Sequence, residues 1–161
     1  ALGQHGLMGK QNLYEHSVRV PLIFAGPGIG AGVQRDDLVY LLDIFPTLCG
    51  LVDTTAPSTV EGSSLESALH GEEGAPRDLL YLAYESTIRG VSDGCHKLIE
   101  YAGGETQLFD IQEDPGEVAN LASGEPARVE SLRKRMVVLR DQWDDSAHPK
   151  GASFWDRRSD L

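Results

Sequence analysis

Between Leu79 and Asp110 the chain breaks into four short runs, LLYLAY (79–84), TIRGV (87–91), HKLIEY (96–101) and QLFD (107–110). Ser92-Asp93-Gly94 and Gly103-Gly104 punctuate them with residues suited to tight reversals. Spacing this close favours an antiparallel meander, because parallel strands need long crossovers. Val129, Leu132, Met136, Leu139 and Trp143 then step by threes and fours and predict an amphipathic helix starting near Ser123 or Glu125. Arg128, Arg133, Lys134, Arg135 and Arg140 crowd its outer face and are expected to be solvated. Beyond Trp143 the tail is polar and broken by Gly and Pro, with Phe154-Trp155 the pair able to dock.

Upstream, loop, strand and helix signals alternate. Val18 to Ala25 (VRVPLIFA) is apolar on consecutive positions and predicts a strand covered on both faces. Pro21 cannot donate to a ladder, which places that strand near an edge or leaves it regular only beyond that residue. Glycines at 26, 28, 30 and 32 read as a turn, since no βαβ context opens there. Asp43 to Val52 predicts a helix capped by Asp43, with Pro46 in the first turn. Ile44, Phe45, Leu48, Cys49 and Val52 would share one face. Gly62 to Leu69 predicts a shorter helix stopped by Gly71. There is no internal repeat and no low-complexity tract.

At 161 residues and 40% hydrophobic content the chain is long enough for one domain, able to bury about 70% of its unfolded surface. A net charge of −11 makes nucleic acid and anionic lipid poor partners. No apolar run approaches the length that spans a membrane, and no secretory leader is visible. Cys49 and Cys95 lack metal spacing. Cys49 reads as a buried small hydrophobe, and a bond between the two is possible but unsupported by spacing.

The candidate chemistry lies in the first fifteen residues. Lys10 sits in a loop with glycines at 3, 6 and 9, which permit close backbone approach to a ligand. An ammonium so placed can neutralise oxygens of a tetrahedral oxyanion, although spacing alone is met as well by a solvated lysine. His5 could serve the same pocket, or simply satisfy loop carbonyls. Glu15 and Arg19 are four apart and can pair if that turn is helical. Cys95 and His96 cannot make a nucleophilic pair if they lie in a strand, where neighbours point to opposite faces. No nucleophile elbow, HExxH, P-loop or zinc spacing occurs.

Four stretches, taken in order, resemble the C-terminal portion of a sulfatase of the alkaline-phosphatase-like superfamily. They are Leu2-Gly3-Gln4-His5-Gly6-Leu7-Met8-Gly9-Lys10 with Tyr14-Glu15 and Arg19 to Ile23; Asp43-Ile44-Phe45-Pro46-Thr47-Leu48 leading to Glu61 to Leu65; Ile88-Arg89-Gly90-Val91 with His96 to Ile99; and Leu108 to Ile111 with Asp114-Pro115, Glu117 and Asn120-Leu121. Together they cover roughly residues 1–122. The fold class this implies is α/β (α+β): part of a main sheet with helices, plus a small antiparallel sheet packed by a C-terminal amphipathic helix. The corresponding pieces would be 1–75, from the catalytic domain, 76–145, the antiparallel subdomain with its helix, and 146–161, a polar tail.

The resemblance implies hydrolysis of sulfate esters on a small molecule or glycan, export from the cytoplasm by family habit, and Lys10 as a sulfate-contacting residue. His5 matches a histidine of the same loop. It also implies a formylglycine made from Cys or Ser in a C/S-x-P-x-R motif, and a divalent cation, calcium or magnesium, on hard oxygen ligands. Neither is encoded here: Cys49 is followed by Gly50-Leu51-Val52 and Cys95 by His96-Lys97-Leu98. The metal ligands belong to an Asp-His-Gly or Asp-Asn-Gly motif expected just ahead of Ala1. The chain alone is therefore expected to be inactive. A related phosphonate or phosphodiester hydrolase, or a non-catalytic module whose open strand edges favour a homodimer, are the rival readings.

Overall fold

The computed structural model describes residues 1–72 and 76–161. Two compact units emerge, one built from residues 1–20 and 81–161 and the other from residues 21–80. The boundary expected at 75/76 falls on residues 73–75 and lies outside the described residues.

The four short runs of the first unit form the expected meander. Strands β1 (Leu80–Tyr84), β2 (Ile88–Ser92), β3 (His96–Tyr101) and β4 (Thr106–Asp110) lie in the order β1-β2-β3-β4. At the β2–β3 reversal the Asp93 carboxylate accepts from the N–H groups of Cys95 (3.0 Å) and His96 (2.7 Å), an Asx device that frees the loop from needing backbone partners. Register then sorts the side chains. Ile88 lies opposite Tyr101, Gly90 opposite Ile99 and Lys97 opposite Phe109, so these residues share one face. Leu13 and Tyr14 pack on it, in a core with Ile88, Ile99 and Phe109. A side chain at Gly90 would put its Cβ 2.7 Å from the Leu98 carbonyl oxygen and 3.2 Å from Leu13, so the absence of one makes room for that packing.

The opposite face carries Val91, Leu98 and Leu108 and is covered by helix α4 (Pro126–Gln142) through buried Val129, Leu132 and Met136. Pro126 opens this helix, and Glu125 precedes it without a side-chain cap. The polar tail forms helix α5 (Pro149–Arg157), whose Phe154 and Trp155 are buried.

Both faces being covered, β2 and β3 bury charge. Arg89, Lys97 and Glu100 are 2%, 0% and 0% exposed. A lone buried charge costs several kcal/mol, so each needs a partner. Arg89 donates to Asp145 at 2.7 and 3.1 Å. Glu100 accepts from Arg133 at 2.6 Å and from Arg158 at 2.9 Å. Arg133 is thus not a solvated residue of the outer helix face: Glu100 needs its guanidinium. Arg140 stacks over Trp155 at 5.0 Å, while Lys134 does stay at the surface.

In the second unit, the 3-10 turn Leu41–Asp43 runs into α2 (Ile44–Leu51), and α3 spans Glu66–Leu69. Asp43 does not cap α2 with its side chain. It is fully buried, and its two oxygens accept from Arg77 at 2.5 and 2.8 Å, from Tyr40 N–H at 2.7 Å and from Ser63 N–H at 2.8 Å. The apolar face of α2 is left open, with Phe45 53% exposed and Cys49 only half-buried. Gly71 ends α3 with φ +83°, as its sequence position predicts.

The strand expected over Val18–Ala25 is absent. Val18 closes the short helix α1 (Glu15–Val18), and residues 19–25 carry no regular structure. A strand buried on both faces needs neighbours on its edges, and none of the described strands pairs with this run. Pro21 removes one donor in addition.

Burial alone would raise the Asp145 carboxyl, but hydrogen bonds from Arg89, Trp155 and Tyr81 outweigh it and hold it below the usual carboxylate range. A depressed carboxyl contributes stability above its unfolded value, about pH 3.9, and loses it as pH falls through the folded value. Asp145→Asn strands the Arg89 guanidinium and should destabilise the chain by about 3 kcal/mol at neutral pH. The gap between denaturant melts of the two proteins should begin to close below about pH 4 and narrow further as pH falls through the depressed folded value; a gap constant down to low pH would remove Asp145 as a charged partner.

Candidate functional site

The first eleven residues form a closed loop rather than a strand end. Leu2 and Met8 make an antiparallel bridge, Gly3 N–H donates to the Leu7 carbonyl at 2.9 Å, and Gly9 N–H donates to the Ala1 carbonyl at 2.9 Å. Gly3, Gly6 and Gly9 adopt φ of +110°, +69° and +93°, values closed to most side chains. His5 lies between them at φ +54° and is not a glycine. That conformation is uncommon for a residue with a side chain, and its ring is held flat on Tyr14, centroids 3.9 Å apart and planes 2° from parallel. The His16 ring lies 5.8 Å from both.

The loop is displayed from a buried anchor. Asn12, Leu13 and Tyr14 are buried, whereas residues 2–11 are exposed. Asn12 Oδ1 accepts from Tyr14 N–H at 3.0 Å, and the Tyr14 hydroxyl donates to Gln107 of β4 at 2.9 Å. Glu15 N–H donates to Glu117 Oε2 at 2.6 Å. The fully buried Lys97 ammonium of β3 donates to Glu117 Oε1 at 2.9 Å and to Glu15 Oε1 at 2.5 Å. Glu15 also lies 3.9 Å from Arg19, the pair expected from their spacing. Arg19 is so exposed that this contact adds little.

Lys10 stands on the exposed part of the loop and makes no hydrogen bond or ion pair with the described residues. His5 and Lys10 therefore occupy one displayed loop. Its electrostatics run against those of the whole chain. The first 34 residues contain one acid, Glu15, against Lys10, Arg19, His5 and His16, and Glu15 is already engaged by Lys97. His16 is held below its ordinary value, first by burial and then by the nearby N-terminal amine and His5.

Tyr14, Lys97 and Glu117 lie in the stretches that carry the family resemblance, but nothing in their spacing assigned them a part in the site. One signal did exist for Lys97: it alternates with Ile99 and Tyr101, which puts it on an apolar face. Cys95 is exposed at the edge of β3, and His96 approaches Asp110 at 3.8 Å, so the two form no nucleophilic pair. Both cysteines are free thiols. Among the described residues no group of three or more His, Cys, Asp or Glu could hold a metal ion. The residues present thus fit neither a divalent cation nor, lacking C/S-x-P-x-R, a formylglycine.

Residues 3–142 match the family model of the C-terminal part of N-sulphoglucosamine sulphohydrolase. A choline-sulfatase from Rhizobium meliloti is 34% identical over 157 residues, covering 91% of this chain and 30% of that protein. Arylsulfatase K of Mus musculus is 32% identical over 149 residues, covering 83% and 27%. A candidate sulfatase from Bacteroides thetaiotaomicron superimposes with a TM-score of 0.68 at 31% identity, over 84% of this chain and 32% of that one. A phosphonate monoester hydrolase from Silicibacter pomeroyi superimposes with a TM-score of 0.73 at 24% identity, over 83% and 31%, a likeness of fold alone. The chain spans less than one third of the length of each of these proteins.

Proposed function

The chain belongs to the N-sulphoglucosamine sulphohydrolase C-terminal family, and from that premise we propose that it serves a hydrolase of sulfate esters, with Lys10 and His5 facing the sulfuryl oxygens. The observation that carries the reading is the loop itself. A cation with no partner among the described residues and a stacked imidazole are displayed together, in a stretch of 34 residues that holds a single acid, Glu15.

The proposed chemistry assigns the chain a defined share. Hydrolysis of a sulfate ester moves negative charge onto the sulfuryl oxygens and the leaving alcohol. The Lys10 ammonium acts there as a point charge on a stem free to follow the oxygens, and the anchored loop keeps its base fixed. The His5 ring, locked on Tyr14, offers a ring nitrogen as a second partner for the anion or its leaving oxygen. In the family the nucleophile is a formylglycine beside a divalent cation. Neither fits the described residues here, and the proposed chemistry would draw both from other parts of the whole enzyme. The substrate is a sulfated small molecule or glycan.

A second reading, phosphonate or phosphodiester hydrolysis, rests on the fold likeness to the Silicibacter pomeroyi enzyme. The relatives above 30% identity favour sulfate. A third reading is a non-catalytic module that self-associates through the open face of α2. Sedimentation of the chain as a clean monomer at high concentration would set it aside.

Lys10→Ala in the protein that carries this chain should keep the fold and lower kcat/KM for an aryl sulfate by roughly 10²–10³. A near-normal value would remove Lys10 from the mechanism. The 161-residue chain by itself should not hydrolyse 4-nitrophenyl sulfate with or without calcium; metal-dependent turnover would contradict the division of labour. Matched phenyl sulfate and phenyl phosphonate substrates should favour the sulfate in the whole protein, and the reverse preference would install the second reading.

A further inference from the structure

We propose that Lys97 is a positioning residue for the anion-facing loop, acting through Glu15. The inference rests on the reading of that loop given above and adds a residue from the middle of the sheet, remote in sequence from it.

The geometry fixes residue 15 at two points. Its backbone N–H donates to one oxygen of Glu117, and its carboxylate accepts from Lys97, which also holds the other oxygen of Glu117. Lys97 and Glu117 are 0% and 1% exposed in their side chains, so water does not compete for these bonds. A residue pinned by backbone and side chain together can neither slide along the sheet nor rotate. The next residue toward the N-terminus, Tyr14, carries the ring on which His5 lies. The Tyr14 hydroxyl on Gln107 holds the far end of that ring. Lys97 is thus linked to the His5 imidazole through two residues, Glu15 and Tyr14, and Lys10 lies five residues ahead of Glu15.

Apolar packing of Leu13 and Tyr14 would hold the segment against the sheet but would not fix its direction. Packing tolerates small rotations, whereas the three hydrogen bonds around Glu15 and Glu117 are directional. The loop beyond is exposed and contains glycines, so its placement depends on the anchor from which it leaves.

The test uses the ring-current shift of His5, because stacking on Tyr14 moves its ring protons upfield, together with titration of inorganic sulfate into the 161-residue chain. Glu15→Ala cuts the link to the loop and leaves Lys97 paired with Glu117. Lys97→Met removes the ammonium, and Lys97→Arg restores a cation. With the amide signals of β2–β4 unchanged, Glu15→Ala should lose more than half of the His5 upfield shift and bind sulfate at least tenfold more weakly. Lys97→Met should do the same if it folds, and Lys97→Arg should recover part of both. A merely structural role would lower the melting temperature and leave the shift in place. A full His5 shift in folded Glu15→Ala overturns the proposal whatever sulfate does. If the unsubstituted chain shows no sulfate response while its stack depends on Glu15, the positioning role stands and the anion reading of the loop fails.

Discussion

Three charges on the two central strands govern how the rest of the chain must be arranged. Arg89, Lys97 and Glu100 are buried within the sheet, and none can be satisfied by a neighbouring strand's backbone. Each therefore recruits an element from elsewhere: Asp145 for Arg89, Glu15 and Glu117 for Lys97, Arg133 and Arg158 for Glu100. Apolar burial favours covering both faces but does not say with what. The charges do say it, because an unpaired charge in a dry interior costs more than a small packing defect. The N-terminal segment is thereby assigned to one face and the two C-terminal helices to the other.

That division explains how a displayed loop can be both exposed and well placed. Residues 12–15 are anchored by directional bonds, and residues 2–11 are closed on themselves by a bridge and by left-handed glycines. In the proposed reading, the positive groups near the loop matter more to an anion than the net charge of −11. Screening confines exposed charges to about 8–10 Å at physiological salt, so Lys10 and His5 dominate their own surroundings.

Much of the fold was legible in the sequence because its signals are local. The meander could be read from short apolar runs and from Asp93-Gly94 and Gly103-Gly104, and α4 from the spacing of Val129, Leu132 and Met136. Phe154 and Trp155 stood out from their polar tail for the same reason. Val18–Ala25 could not be settled that way: a run of consecutive apolar residues is a strand only where other strands flank it. Asp43 looks like a helix cap in sequence, but its carboxylate answers to Arg77, 34 residues away. Arg133 sits among solvated basic residues in sequence and is drawn inward by Glu100. The loop that carries Lys10 and His5 was legible as a motif, but its anchorage was not, since Lys97 and Glu117 are 82 and 102 residues from Glu15.

The use of charge at Lys97 has its own logic. Buried ion pairs are often no more stabilising than apolar residues of equal volume, so stability alone does not account for three ionisable side chains here. The Glu15 N–H does. It begins a short helix whose first donors have no intrahelical partner, and it is turned toward the sheet. Only an acceptor can satisfy it, and the acceptor present is a carboxylate with 1% exposure. A carboxylate in that place needs a cation, and β3 supplies Lys97, 2.9 Å away. The Lys97 ammonium then has donors to spare and takes the Glu15 side chain as well. One backbone donor at the root of the loop thus requires the whole cluster, and the cluster in turn fixes the point from which Lys10 and His5 are presented.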